Sequence, residues 1–228
     1  MKIGLVIAIS KEFDAFKEKF GEPLEYIQEH NYQIMHFNNN GNDLYATQSS
    51  AGEIGAAATT QMLITKFDVE AIFNFGIVGG LHDDMKLHNI CVVKDVVHYD
   101  FDTSGIDNCE VARYLELEDI HIPTSEELRN LAIKDLPDLY PVRCASGDKF
   151  VDYEDEKRRL YELYEADICD MESAGIALTC YRNDLPCLLI KMVSDSISGG
   201  PEEYLAQSKL TAKACVDLFA EILTQITA

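Results

Sequence analysis

Four places in the chain put chemically capable side chains directly after runs that look like strands. Open α/β sheets collect their ligands at such strand ends. Glu12 follows the apolar run Ile3–Ile9. Alone, an acid there is an ordinary partner for the first turn of a helix. Asn74-Phe75-Gly76-Ile77-Val78-Gly79-Gly80 carries a strand into a glycine cluster, where backbone amides can approach a ligand closely. The cluster is not GxGxxG and no GK[ST] follows it, so neither a dinucleotide site nor a P-loop is supported. A tight structural turn explains it equally well. Ser146-Gly147-Asp148-Lys149-Phe150-Val151 places an aromatic ring where it could stack on a planar base. The fourth place is a pair, Asp170-Met171-Glu172 opening one helix and Ser194-Asp195 ending the next strand. Acids set behind a buried β-branched run cost free energy unless they are paired or used.

Metal and nucleophilic chemistry are less well supplied. His98, Asp100 and Asp102 alternate and would share a face if the strand continued through them, and His82 precedes Asp83 and Asp84. Neither group has a full ligand set, so no metal and no cofactor is expected. No GxSxG elbow or matched Cys/His context is present. The seven cysteines, Cys91, Cys109, Cys144, Cys169, Cys180, Cys187 and Cys215, are odd in number and widely spread. They read as reduced core thiols of a cytoplasmic protein.

The elements that must position these residues are short β-branched runs alternating with segments of helical period. That alternation predicts an α/β fold with a largely buried sheet. Strands are expected at Ile3–Ile9, Gln33–Phe37, Leu44–Thr47, Ala71–Phe75, Ile90–Val97, Val142–Ala145 and Cys187–Val193. The asparagines and glycine at 38–41 read as a hairpin turn, which puts antiparallel strands early in the sheet. Helices are expected from Ser10, over 53–66 with Ile54, Ala58 and Met62 on one face, near 126–134 behind Thr124-Ser125, and over 171–182. A last helix opens at Pro201, with Cys215, Leu218, Phe219, Ile222, Leu223 and Ile226 as its core stripe.

With 228 residues and 47% hydrophobic composition, the chain reads as one globular domain over 1–228. Its 40 acidic against 19 basic residues give a formal charge of −21, which excludes non-specific attraction to nucleic acid or anionic lipid. MKIGLVIAIS is too short to span a bilayer and lacks a cleavage site, so it reads as a buried strand of a soluble protein.

Taken in order, Met1–Phe13 with Glu12, NFGIVGGL at 74–81, SGDKFV at 146–151, DMESAGIA at 170–177 and Ser194-Asp195 resemble the purine nucleoside phosphorylase/nucleosidase superfamily. The similarity is greatest to its 5′-methylthioadenosine/S-adenosylhomocysteine nucleosidase branch and spans nearly the whole chain. The resemblance implies a three-layer α/β/α sandwich around a mixed sheet, a homodimer, and a small purine nucleoside as partner. It implies Glu12 as the general base that activates water and Asp195 as the acid that protonates purine N7. Glu172 would bind the ribose hydroxyls with Met171 under the sugar, Phe150 would stack on the base, and backbone groups of Val151 would read its edge. Ser194 belongs to the same substrate-binding set.

The chain also departs from that pattern. Ile77 stands where the family usually has a serine that helps hold the water, and Lys191 stands where an Arg commonly pairs with the sugar-binding Glu. Lys191 keeps the charge but lacks the planar fork. The loop Ser196–Gly200 is short, and 98–118 carries no motif that can be assigned. Phosphorylases hold phosphate with arginines, yet no Arg precedes Arg113 here. Water is therefore expected as the nucleophile, in methionine salvage. A phosphorylase and a non-catalytic nucleoside-binding relative are the rival readings.

Overall fold

The computed structural model describes residues 1–226 apart from 135 and 137. One sheet of ten strands runs through it. β1 (Lys2–Ile7) leads into α1 (Ser10–Phe20), followed by β2 (Glu25–Glu29), β3 (Tyr32–Asn39), β4 (Asn42–Gln48), α2 (Glu53–Phe67) and β5 (Ala71–Gly80). Then come β6 (Ile90–His98), α3 (Ser104–Asp107), β7 (Ile122–Pro123), α4 (Glu126–Ile133), β8 (Tyr140–Ser146) and α5 (Glu154–Tyr164). The chain finishes with β9 (Ile168–Asp170), α6 (Ser173–Arg182), β10 (Cys187–Asp195) and α7 (Pro201–Ile226).

The strand order is β10-β6-β8-β9-β5-β1-β4-β3-β2, with β7 on β6 and a further parallel pairing of β10 with β5. That last pairing closes β5, β10, β6, β8 and β9 into a ring. The sheet is mixed, as expected: β1 pairs in parallel with β4 and β5, while β2–β3–β4 is an antiparallel meander. Asn40 and Gly41 both take positive φ, 52° and 85°, the backbone that a two-residue hairpin turn requires.

Strand alternation divides the core into two layers. Ile3, Leu5, Ile7, Phe73, Phe75, Leu188 and Ile190 pack with Phe16 of α1, Leu128 of α4 and Phe219 of α7. Val6, Ile72, Leu189 and Val193 face the other way, onto Ala56 and Leu63 of α2 and Ala177 of α6. Of the stripe expected on α7, Cys215, Phe219, Ile222 and Leu223 are buried, and Leu218 and Ile226 pack against them in part.

Several boundaries differ from the expectations, each for a physical reason. β1 ends at Ile7 because Ile9 is already the N-cap of α1. That cap carries no side-chain oxygen; Glu12 reaches back to its N–H at 3.2 Å instead. β5 continues to Gly80 rather than turning at its glycines, because β10 pairs with it as far as Gly79. On α2 the face was misread. Ile54 is 82% exposed, while Ala56, Thr59, Thr60 and Leu63 are buried. The strands β2, β7 and β9 and the helices α3 and α5 were not foreseen; β2 is half exposed and β7 and β9 are two and three residues long.

Candidate active site

The glycines of β5 explain how acids fit behind a buried strand. A Cβ at Gly76 would stand 3.0 Å from Glu12 Oε1, and one at Gly79 would stand 3.0 Å from Asp195 Oδ2. At either place a methyl group would press on the carboxylate and displace it by a few tenths of an ångström. Glu12 is buried and accepts the Ile77 N–H at 2.9 Å through Oε1. Burial pushes its carboxyl above the usual range, against the pull of the Ile77 and Ile9 amides.

Around these acids lies an open cavity of about 620 Å³. Of the residues singled out from the sequence, Glu12, Ile77, Phe150, Val151, Met171, Glu172, Ser194 and Asp195 all line it. Phe150 stands at the mouth, 39% exposed, with its ring edge-on to Tyr204 at 5.3 Å between centroids.

Lys191 is placed differently from the expectation. It lies outside the cavity lining, almost fully buried, with its Nζ 2.8 Å from Asp170 Oδ2 and donating to Asn74 Oδ1 at 2.7 Å. The ammonium lacks the planar fork that grips both oxygens of one carboxylate, and its ion pair is made with Asp170 rather than Glu172. Glu172 is instead held by backbone. Its oxygens accept the Gly52 N–H at 3.1 Å and the Met171 N–H at 3.3 Å. Burial, then the neighbouring Asp170, pushes it up to about 7.

Three further residues were missed in the sequence. Lys157 of α5 is completely buried, and its Nζ meets Asp195 Oδ2 at 2.6 Å, the Ser196 carbonyl at 2.6 Å and the Gly199 carbonyl at 3.1 Å. It sits within the charged run 154–159, which reads as a solvated face. The available signal was its i,i+3 spacing to the buried Leu160. Burial raises the Asp195 carboxyl, and Lys157 works against that rise. Glu53 is likewise buried, bound to Ser146 Oγ at 2.5 Å and to the Gly175 N–H. Burial, then Asp170, pushes it up to about 8. Tyr204, in the first turn of α7, lines the cavity and carries Lys11 over its ring.

The residues weighed for metal binding are engaged elsewhere. β6 stops at His98, whose ring nitrogens meet Tyr114 Oη at 2.7 Å and Asp100 Oδ1 at 2.9 Å. Asp102 accepts from Ser104 beyond the strand, and His82 sits 3.2 Å from Asp167. The cysteines are free thiols, six of them buried.

The arrangement thus gathers four buried acids, two of them facing an ammonium, around a cavity with an aromatic lip. A family model described as the phosphorylase superfamily matches residues 2–228. The chain belongs to that superfamily. Within it, the chain is 26% identical over 200 residues to the aminodeoxyfutalosine nucleosidase of Campylobacter jejuni, covering 86% of each protein. It is 27% identical over 225 residues to the 5′-methylthioadenosine/S-adenosylhomocysteine nucleosidase of Shewanella sediminis, covering 91% of this chain and 94% of that one. Among solved structures, it superposes at a TM-score of 0.92 on a Helicobacter pylori 5′-methylthioadenosine/S-adenosylhomocysteine nucleosidase complexed with a pyrrolidinol that carries an aminopyrrolopyrimidine. That likeness has 25% identity and covers 98% of this chain and 97% of the other. The mixed sheet between two helical layers is therefore the superfamily's fold.

Proposed function

We propose that this superfamily member hydrolyses the N-glycosidic bond of an adenine nucleoside, 5′-methylthioadenosine or S-adenosylhomocysteine, releasing adenine. The observation that carries the choice of water over phosphate is the charge around the cavity. Glu12, Asp170, Glu172 and Asp195 line it, and the one cationic side chain among the described lining residues, Lys149, is held by both oxygens of Glu156 at 2.7 and 2.6 Å. A phosphate dianion would meet four acids and no free cation.

Cleavage leaves an oxocarbenium-like ribose and an electron-rich base, so groups that meet those charges favour the transition state. Glu12, ionised, takes a proton from the attacking water as its oxygen bonds to C1′. Ile77 supplies only its backbone N–H to Glu12 here, so the carboxylate and backbone must orient the water. Glu172 accepts the ribose hydroxyls. As the C1′–N9 bond breaks, its electron pair passes into the purine and Asp195 gives a proton to N7. Lys157 occupies Asp195 Oδ2, which leaves Oδ1 for the base. Ser194 Oγ lies 2.9 Å from that oxygen and 3.2 Å from the Val78 carbonyl, so turning its hydroxyl to Val78 frees Oδ1 to carry the proton.

A second reading differs only in the 5′ group, and the name of the Campylobacter relative favours it: aminodeoxyfutalosine. A homodimer acting in methionine salvage in the cytoplasm belongs with the main reading. The exposed Ile54 and Ile106, at 82% and 85%, are apolar side chains that a second copy would cover, and the free thiols suit a reducing compartment.

The test is a panel of methylthioadenosine, S-adenosylhomocysteine, aminodeoxyfutalosine and inosine, each incubated with and without phosphate and followed by chromatography. Free base and free sugar in phosphate-free buffer are expected. Strict phosphate dependence would replace water as the nucleophile, and no product from any nucleoside would leave a binding protein.

A further inference from the structure

The contacts around Ser146 require one more proton than the side chains carry in their usual states. Its Oγ stands 2.5 Å from Glu53 Oε1 and 2.6 Å from Asp170 Oδ1, and it also accepts the Ala174 N–H at 3.1 Å. A hydroxyl has one proton to donate. Two carboxylates cannot both receive it, so one of the two acids must itself be the donor.

The partners decide which. Asp170 receives the Lys191 ammonium at 2.8 Å, the Ser173 hydroxyl, and the Ser173 N–H at 3.2 Å. That is the environment of an ionised carboxylate. Glu53 receives a single backbone donor, Gly175 N–H at 2.5 Å on Oε2, and the charged groups facing it are Asp170 and Glu172, both acids. Tyr99 and Tyr114 also stand within its field. We infer that Glu53 is a neutral carboxylic acid that donates to Ser146 and acts as a positioning residue for Glu172. Ser146 then donates to Asp170 and accepts from Glu53 and Ala174, so the one proton and both lone pairs of its hydroxyl have partners.

The link to Glu172 runs through the first residues of α2. Gly52, at φ 106°, turns its N–H onto Glu172 Oε1, and Glu53 N–H caps Asp148 Oδ1 at 2.8 Å. The Glu53 side chain fastens that same turn to β8 through Ser146 and to α6 through Gly175. A Cβ on Gly175 would lie 2.5 Å from the Glu53 carbonyl, so the two helices meet with no slack. Without this fastening the Gly52 amide loses its aim, and the sugar carboxylate with it.

The positioning role rests on the hydrolase reading above, whereas the proton on Glu53 does not. The experiment compares wild type with Glu53→Gln and Glu53→Ala. In the infrared difference spectrum of wild type minus Glu53→Gln at neutral pH, the band lost should be the carbonyl stretch of a protonated acid. Loss of a carboxylate stretch instead overturns the inference. Gln keeps both a donor for Ser146 and an acceptor for Gly175, so Glu53→Gln should keep KM and kcat within about threefold of wild type, and Glu53→Ala should raise KM about tenfold with a smaller change in kcat. Glu53→Gln as impaired as Glu53→Ala, or wild-type KM in Glu53→Ala, defeats the role. If wild type turns over no nucleoside, the hydrolase reading fails. The infrared result and nucleoside affinity by calorimetry then decide the inference in its place.

Discussion

Asp195 sits under two opposed influences, burial that favours its proton and a lysine that favours its charge. Lys157→Met removes the second. Asp195 should then hold its proton to higher pH, moving the alkaline limb of kcat/KM upward, while the severed buried pair lowers stability by about 3 kcal/mol. An unmoved alkaline limb would mean that Asp195 is not the group titrating there. The proposed roles make a plainer demand on Asp195→Asn and Glu172→Gln. Each should lose at least about 10²-fold in kcat/KM, the scale of one acid–base group for Asp195 and of one lost charged contact to the sugar for Glu172, with an unchanged circular dichroism spectrum. Glu12 and Asp195 were legible in the sequence because each stands after or at the end of a strand-like run, and Glu172 because it lies in the DMESAGIA motif. Lys157 was not, because burial of a lysine is a tertiary event: α5 presents it on the Leu160 face, amid charges that face water. Lys191 was legible as a residue but not as a contact, since which of two carboxylates an ammonium joins depends on distances that spacing does not encode.

Among the elements, β5 carries its glycines for different reasons, and substitution should separate them. Gly79→Ala presses a methyl against Asp195 Oδ2 and the Cys169 sulfur, both side-chain atoms, at 3.0 and 3.1 Å. Activity should fall by about tenfold or more while the melting temperature changes little. Gly80→Ala meets the Met85 carbonyl at 2.7 Å, backbone that cannot step aside, so its main effect should be on folding, by about 1–3 kcal/mol. Thermal melts set beside kcat decide, and the reverse pattern would mean the two glycines are misassigned. Strands and helices with strong periods, β1, β10 and α7, could be read from the chain because burial on one or both faces writes a pattern of its own. β9 could not, since three residues hold no period. The α2 face was misread because Ala56, Thr59 and Thr60 are too small or too polar to outweigh Ile54 in a hydrophobic count, although packing against α6 calls for small residues.

For the molecule as a whole, the acids matter through their protons. Glu53 near 8, Glu172 near 7 and the raised Glu12 all bind protons more tightly folded than unfolded, where a Glu titrates near 4.5. The native state therefore holds more protons than the unfolded chain across that interval. The stability this linkage provides is complete below about 4.5 and is lost as pH rises to about 8, by up to about 1.4 kcal/mol per pH unit for each carboxyl still titrating. Melting temperature should fall from pH 5 to pH 8, more steeply in wild type than in Glu53→Gln, and parallel curves would show that Glu53 does not contribute. Self-repulsion from a charge of −21 acts in the same direction and is common to both proteins. The ring of β5, β10, β6, β8 and β9 also bears on motion. Each strand that carries Ser146, Asp170 or Asp195 is bonded on both sides, whereas β2 hangs at the edge with one neighbour. A strand with two neighbours cannot peel away alone, so amide hydrogens of β8 and β10 should exchange with deuterium only when the whole chain opens, while those of β2 exchange by fraying. Asp170 and Asp195 would then sit in the slowest-breathing part of the molecule, and motions that admit a nucleoside would be left to the helix turns that carry Glu12 and Glu172 and to the loops beside the ring.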